Sequence, residues 1–390
     1  MGCTAKTVGA NAERSRSHNR QMVLDRVRQA GQMGRAEIAR ATGLSTQAVS
    51  NIIANLLSDG LIVEGGRRAA ARGQPPVQYG LNPDGGYAVG IEVRPDAIFT
   101  AVLDLSGQVV ATSRDVLAEQ DIDGVTYAVR NAKLAILKDV GIPETKLLGA
   151  GLVMPGPFGR TGLSGTSSML SVFDDISLND WFSEALGLRV VVENDANASA
   201  VAERVSGVAK GFESFAYLYF GSGLGLGIVE NGGLVSGALG NAGEIGHIPV
   251  LADGQKVSLE SKLSRLSVQA HLAKAGLETT STDDLSRLFA EENEHLLSWL
   301  DQALEPFSNA ITIIENILDP ETIVLGGAMP DLVFDYLIEN ALLAEFSVSE
   351  RQERIHPRLL RGTTGRMTGT LGAAALVLNR TFTPRISATA

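Results

Sequence analysis

Near its N-terminus the chain repeats apolar residues with the period of an α-helix. The spacing predicts three short helices, of which the first two end at Gly31 and Gly43 and the third is capped by Ser45. They cover residues 20–30, 35–42 and 45–58. Ala39, Gly43 and Val49 have helix-turn-helix spacing: a small residue, a turn glycine and a β-branched residue between the helices. The pattern predicts a DNA-binding fold.

A hairpin after the third helix completes the pattern of a winged helix. Apolar runs at 61–64 and 77–81 predict its strands, and the glycine-rich segment 65–76 predicts its tip. In such folds the third helix lies in the major groove, and basic wing residues contact phosphates or the minor groove. The predicted DNA-binding residues are Arg35, Ser45, Thr46, Gln47, Ser50, Asn51, Arg67, Arg68 and Arg72.

The charge of the chain is divided unequally. Residues 1–81 hold 11 Lys and Arg against 5 Asp and Glu, although the whole chain carries a net charge of −11. A basic segment on an acidic body indicates that only this segment meets a polyanion. We therefore predict a winged helix-turn-helix domain over 20–81, here called the head, preceded by a mobile polar arm over 1–19. The alternative is an ordinary three-helix bundle with a solvated hairpin.

Beyond the turn-rich segment 82–86, short apolar runs alternate with helical patterns. The runs that predict strands of a first lobe are 87–93, 98–104, 108–115 and 147–154. A second lobe is expected from about Arg189, with strands at 190–192, 215–220, 226–230 and 322–325. This order predicts an α/β body over 87–390 with a cleft between two lobes, and a C-terminal helix that returns to the first lobe.

Composition narrows the class of protein. The 390 residues include 44% hydrophobic and 20% charged residues, as in ordinary soluble domains. The single cysteine, Cys3, excludes an intrachain disulfide and a multi-cysteine metal site. No apolar stretch approaches the roughly 18 residues that span a bilayer, and the N-terminus does not resemble a secretory signal. We expect a cytoplasmic protein.

Five short motifs in the body make the resemblance specific. They are Pro155-Gly156-Pro157, Glu193-Asn194-Asp195-Ala196-Asn197, Gly221-Ser222-Gly223-Leu224-Gly225-Leu226-Gly227, Gly243-Glu244-Ile245-Gly246-His247 and Ile323-Val324-Leu325-Gly326-Gly327. In this order, behind a winged head, they resemble the ROK family (repressors, open reading frames and kinases), in its repressor branch. The resemblance implies a two-lobed actin/sugar-kinase/Hsp70-like (RNase H-like) fold, sugar recognition in the cleft, and a homodimer or homotetramer.

The resemblance also implies a set of sugar-binding residues. The family's matching Asp is the general base of its kinases, and the Asn beside it binds hydroxyls. A carboxylate beside an amide suits a polyol, because hydroxyls donate to the first and both donate to and accept from the second. The implied residues are Asn194, Asp195, Glu244, His247 and Glu260. From the residues alone, Asp195 could instead cap a helix, and Glu-x-x-His is more often a surface or capping pattern.

Two departures from the family change the expected chemistry. The family's cysteine-rich segment after the His is replaced by 248–260, which has no cysteine, so we predict no zinc. The kinase turn Asp-x-Gly-Gly-Thr is replaced by Glu92-Val93-Arg94-Pro95-Asp96, where proline removes an amide donor. The second phosphate loop survives as Gly221, Gly223 and Gly225, which turn geometry alone would explain. We expect no cofactor and no catalytic residue.

A milder departure concerns the ligand itself. The family often has an Asn-Leu pair before its Trp, whereas 167–170 here read Ser-Ser-Met-Leu before Trp181. We therefore expect a ligand other than the glucose type. The predicted function is a sugar-responsive transcriptional regulator, most simply a repressor of carbohydrate genes that a sugar releases from operator DNA. The alternatives are an ATP-dependent sugar kinase with an appended DNA-binding domain, and a body that binds a protein partner.

Overall fold

The head is a winged helix-turn-helix, as the sequence predicts. The structure is a computed structural model that describes residues 12–67, 76–94, 97–154, 156, 173, 176–252, 254–344 and 347–383. The head consists of α1 (Ala12–Ala30), β1 (Gln32–Gly34), α2 (Arg35–Thr42), α3 (Thr46–Ser58), β2 (Ile62–Arg67) and β3 (Val77–Leu81). Its antiparallel strands lie in the order β1-β3-β2.

Two features of the head differ from the prediction. Helix α1 begins at Ala12, so residues 12–19, predicted as part of a mobile arm, are helical; residues 1–11 lie outside the described chain. Strand β1 was not predicted, because three residues are too few to show a period-two pattern. It pairs with β3 through Met33 and Tyr79. This pairing ties the second helix to the wing.

The first lobe is built on a five-stranded sheet with the order β6-β5-β4-β7-β8. Its elements are β4 (Tyr87–Val93), β5 (Ala97–Asp104), β6 (Val109–Val116), α4 (Ile122–Val140), β7 (Leu147–Val153), α5 (Leu178–Leu186) and β8 (Val190–Glu193). The meander β4-β5-β6 is antiparallel, whereas β7 and β8 are parallel to β4 and β7 respectively. The second lobe therefore does not begin near Arg189: Val190 pairs with Ala150 in the first sheet.

The second lobe has its own sheet, in the order β11-β10-β9-β14-β15. The strands are β9 (Phe215–Phe220), β10 (Leu224–Glu230), β11 (Gly233–Leu234), the separate hairpin β12 (Pro249–Ala252) and β13 (Gln255–Ser258), β14 (Ile323–Gly327) and β15 (Leu359–Arg361). The helices are α6 (Asp195–Ser206), which precedes the sheet, α7 (Arg265–Lys274), α8 (Thr282–Ala290), α9 (Glu294–Leu318) and α10 (Asp331–Asn340). No helix in the described ranges is both long and apolar enough to cross a membrane.

The last helix, α11 (Thr368–Phe382), packs against α6 and against the central strands β4 and β7 of the first sheet. Glycines make this approach possible. A Cβ atom at Gly151 would overlap the carbonyl oxygen of Ala373, and one at Gly90 would overlap the backbone at Thr370 and Ala374. Because α6 and α11 are in direct contact, the first lobe and the start of the second share one core.

Candidate functional site

The cleft residues start where the buried strand β8 ends. Asn194 is the N-cap of α6, and its side-chain oxygen accepts a hydrogen bond from the Asn197 amide at 2.8 Å. Asp195 is the next residue, and its Oδ1 accepts from the Ala196 amide at 2.9 Å. Asn194, and not Asp195, therefore caps the helix. Helix capping, the alternative role for Asp195, therefore does not explain why a carboxylate is present at this position.

Asp195 lies in an unfavourable place for a negative charge. Burial, together with the nearby charges of Glu92 and Glu244, raises the pKa of its carboxyl group from 3.8 to about 6, although the hydrogen bond from the Ala196 amide lowers it. The ionised form is therefore destabilised in the protein without a ligand. Hydroxyl groups that donate to this carboxylate would restore hydrogen bonds that burial removes.

Glu244, His247 and Glu260 form a row beside Asp195. Glu244 precedes the 3₁₀ turn Ile245–His247, whose last residue is His247, and Oε2 of Glu244 lies 3.6 Å from Nε2 of His247. On the other side of the ring, Nδ1 lies 3.8 Å from Oε1 of Glu260. Burial raises the pKa of Glu244, while His247 lowers it and Glu260 raises it. An imidazole between two carboxylates presents donors and acceptors to one cavity.

Two glycines leave the space that these side chains need. A Cβ atom at Gly223 would lie 2.5 Å from Oε2 of Glu260. A Cβ atom at Gly156, at the end of β7, would lie 3.6 Å from Cβ of Asn194 and 3.9 Å from Oε1 of Glu244. The five predicted residues therefore lie near one another, and the Pro155-Gly156-Pro157 motif approaches them through Gly156.

On the head, the first turns of α3 are exposed. Ser45 caps the helix, with its hydroxyl accepting from the Ala48 amide at 3.2 Å. Thr46, Gln47 and Asn51 are exposed, and the Gln47 amide donates to Oδ1 of Asn51 at 3.3 Å. Ser50 is half-buried, and its hydroxyl donates to the Thr46 carbonyl. Exposed amide side chains on such a helix match the groups that contact base edges.

The structure describes only some of the predicted basic residues of the head. Arg35 is exposed, and its Nε donates to the Tyr79 hydroxyl at 3.0 Å, so this side chain joins α2 to the wing strand β3. Arg67 is the last residue of β2. Arg68 and Arg72 lie outside the described residues.

Comparison with known proteins decides the family. A profile of the ROK family matches residues 88–380, and a second profile, described as winged helix-turn-helix DNA-binding, matches residues 16–63. The chain belongs to the ROK family. The predicted fold, a winged helix-turn-helix followed by a ROK domain, is confirmed.

Three relatives illustrate the range of this family. The chain is similar to a xylose repressor of Bacillus spizizenii, with 25% identity over 92% of this chain and 94% of that protein. A crystal structure of a ROK transcriptional regulator, homologous to the E. coli MLC protein, superposes with a TM-score of 0.72, 20% identity, and coverage of 94% and 98%. A ROK hexokinase of Thermus thermophilus matches with a TM-score of 0.57, 26% identity, and coverage of 74% and 97%. The repressor and the regulator align with head and body together.

The residues present do not fit the zinc ion expected of many ROK proteins. After His247 the chain forms the hairpin β12–β13, and the only cysteine of the sequence is Cys3. No cluster of three or more His, Cys, Asp or Glu side chains suited to a metal occurs in the described part of the chain. One imidazole without a thiolate does not make a structural zinc site. Glu244 and Glu260, on either side of the ring, orient His247 instead.

Sequence reasoning missed one residue of this ROK cleft, Tyr219. Its ring lies against the glycine loop, because a Cβ atom at Gly221 would be 2.6 Å from its Cε1 atom. Burial raises the pKa of the Tyr219 hydroxyl well above 10, and the charges of Asp195 and Glu92 raise it further. The sequence did contain a signal for this residue. Side chains alternate between the two faces of a strand, so Tyr217 and Tyr219 of β9 lie on the same face.

The turn between β4 and β5 also differs from a simple glycine turn. Glu92 is buried and accepts hydrogen bonds from Nε of Arg94 at 2.7 Å and from the Thr370 hydroxyl at 2.6 Å. The Arg94 guanidinium lies 4.3 Å from the centre of the Phe99 ring. Residues 95 and 96 are outside the described chain. Side chains, in place of bare backbone, line this part of the cleft.

Proposed function

We propose that this chain is a transcriptional repressor that a sugar bound in the ROK cleft releases from its operator. One observation supports the proposal above all: the hydroxyl-binding groups Asn194, Asp195, Glu244, His247 and Glu260 converge in a chain that carries a winged helix-turn-helix. The similarity to a xylose repressor over 92% of the chain agrees with it. Because the proposed target is operator DNA, we also propose that the protein acts in the cytoplasm.

In this mechanism the cleft residues bind and do not catalyse. The ionised Asp195 and the Asn194 amide accept and donate hydrogen bonds to ring hydroxyls, while His247 and its two carboxylates hold the opposite edge of the sugar. A sugar lowers operator affinity only if it binds the weakly DNA-binding state more tightly. A coupling of about 1–3 kcal/mol, or 5- to 150-fold in affinity, is usual. We further propose a homodimer, or a pair of dimers, whose two heads contact the halves of a palindromic operator.

The test is calorimetry on purified, chelator-treated protein without ATP. The titrants are D-xylose, D-glucose and N-acetylglucosamine, together with their phosphates. We expect saturable binding of one of them, and the same compound should release labelled operator DNA in an anisotropy assay. Binding that appears only with zinc would contradict our account of the hairpin β12–β13. Absence of binding under all conditions would favour a body that binds a protein partner.

A kinase remains the second candidate, because a hexokinase aligns with 74% of the chain. The turn at Glu92 and Arg94 disfavours it. In phosphate turns, backbone amides approach the phosphates closely, and a buried carboxylate with an arginine side chain opposes that approach. We expect no phosphate transfer when ATP, magnesium and each sugar of the panel are incubated with the protein. Sugar phosphate formed at a rate proportional to protein concentration would establish the kinase.

The raised pKa of Asp195 predicts how sugar affinity depends on pH. Because only the ionised carboxylate accepts two hydroxyl groups, protonation weakens binding, and the free protein protonates Asp195 at about pH 6. We expect constant affinity above about pH 7 and a loss of up to about tenfold per pH unit below 6. Calorimetry from pH 5 to 8 measures this. If the sugar affinity of Asp195→Asn depended on pH as it does in wild type, another group, such as Glu244, would be responsible for that dependence.

The exposed face of α3 predicts which substitutions weaken DNA binding. Gln47→Ala and Asn51→Ala should each weaken operator binding about 5- to 100-fold, because a bidentate amide–base contact contributes about 1–3 kcal/mol. Sugar affinity should not change, since both residues lie on the head. Gln302→Ala is the matched control, as Gln302 forms a similar exposed i,i+4 hydrogen bond with Ser298 on the body. Equal operator affinity in all three variants and wild type would show that another surface contacts DNA.

A further inference from the structure

Helix α6 connects the cleft to the joint between body and head. Its first residue, Asp195, lies in the cleft, and Arg204 lies in its last turn. Nine residues separate them, which is about 14 Å along the axis at 1.5 Å per residue. All residues from Ala196 to Val205 are buried, so the helix is held on every side. A displacement of its first turn is therefore transmitted to its last turn.

The joint is a packed interface and not a flexible tether. Val23 and Val27 of α1 belong to the same buried cluster as the α11 residues Leu378 and Phe382. The Gln21 amide donates to the Arg380 carbonyl at 3.1 Å. The linker is anchored as well, since Asn82 donates to the Gly60 carbonyl and the Leu105 amide donates to Pro83. Head and body therefore change their relative orientation only by rearranging this interface.

Two buried guanidinium groups contact the same end of α11, one from α1 and one from α6. Arg28 of α1 binds Asp25 at 2.8 Å and lies over the Phe382 ring, 5.2 Å from its centre. Arg204 donates to Oδ1 of Asn379 at 2.7 Å, and its nearest carboxylate, Glu213, is 3.8 Å away. Both arginines are less than a tenth exposed. Burial lowers the pKa of Arg204, and the charge of Arg28 lowers it further.

The hydrogen bonding of this pair is incomplete. Nη1 of Arg28 and Nε of Arg204 are buried, and neither finds an acceptor among the described residues. A buried donor that lacks an acceptor costs free energy, so the energy of the joint depends on where each guanidinium lies relative to the polar and aromatic groups of α11. A small shift of α6 relative to α1 therefore changes the energy of the joint more than it would at an apolar contact.

We propose that Arg204 is the positioning residue that transmits sugar binding to the head. Contacts of the sugar with Asn194 and Asp195 shift α6, Arg204 moves relative to Arg28, and α1 adopts an orientation in which α3 fits the operator less well. The inference rests on the proposed function, because it presupposes a sugar in the cleft. It adds a residue that touches neither sugar nor DNA.

The test is the variant Arg204→Met, which removes the charge and the hydrogen-bond donors but keeps an unbranched, flexible side chain. Operator affinity is measured by anisotropy with and without saturating D-xylose, or whichever sugar of the panel binds wild type. We expect sugar affinity of the DNA-free protein to change less than about threefold, while the sugar-induced loss of operator affinity falls at least about tenfold. Arg204→Lys, which keeps the charge, should retain part of the response. Arg130→Met, an exposed arginine on α4, is the control.

A second variant separates coupling from folding. Arg28→Met changes the other side of the joint, and the double variant with Arg204→Met should reduce the response no further than either single change, because both remove one interaction. If the sugar releases Arg204→Met and Arg28→Met from operator DNA as fully as it releases wild type, the inference is overturned and the proposed function stays intact. A wild type that no sugar releases overturns both.

Discussion

Asp195→Ala is expected to weaken sugar binding about 100-fold or more, because a hydrogen bond to a charged group contributes about 1.5–3 kcal/mol and the carboxylate accepts two. Operator affinity should stay within about twofold, since the head is distant from α6's first turn. The operator complex of this variant should therefore resist every sugar of the panel. Calorimetry measures the sugar affinity, and anisotropy measures the operator affinity with and without sugar.

A second variant at this position, Asp195→Asn, distinguishes a binding role from a structural one through its stability. The pKa of Asp195 is raised, so its ionised form destabilises the folded protein, and stability attributable to this group decreases as pH rises from 3.8 through about 6. Asp195→Asn should therefore melt at or above the wild-type temperature at pH 7. Asp139→Ala, an exposed carboxylate on α4, is the control for both assays. A lower melting temperature with unchanged sugar affinity would contradict the proposed role.

Gly151→Ala is expected to have the largest effect on stability. The added methyl group would overlap the Ala373 carbonyl oxygen. Because this oxygen belongs to the backbone in the middle of α11, it cannot move aside without displacing the helix. Over-packing of this kind lowers the free energy of unfolding by about 1–3 kcal/mol, and by more where backbone must shift. We expect urea denaturation to show that the free energy of unfolding is lower by at least about 3 kcal/mol. The yield of soluble protein should also fall.

Gly233→Ala is the matched control for this change. Its φ is not in the left-handed region, and the nearest atom to an added Cβ, the Glu230 carbonyl oxygen, is 3.4 Å away. We expect its stability to lie within about 0.5 kcal/mol of wild type, as for most surface substitutions. If Gly151→Ala were as stable as Gly233→Ala, α11 would not pack on the first sheet as the structure shows.

Local signals in the sequence determined the helices of the head, whereas the candidate sugar-binding residues were predicted from motifs that resemble the ROK family. Ser45 caps α3 through its own hydroxyl, and Gly43 ends α2 with a φ of 69°, which few residues other than glycine adopt. Such signals act over three or four residues and can be recognised in a linear string. The cap of α6 is a signal of the same kind, since the Asn194 side chain accepts from the amide of Asn197 three residues later.

Contacts between distant segments were decided only by the tertiary structure. A short apolar strand looks the same in either lobe, so the pairing of β8 with β7 is set by which sheet buries it. Tyr219 enters the cleft because Gly221 leaves room for its ring. Arg28 and Arg204 are 176 residues apart in sequence, and only the packing of α1 and α6 against α11 places both at the same end of that helix. Burial and charge act through space, and no pattern along the chain records that proximity.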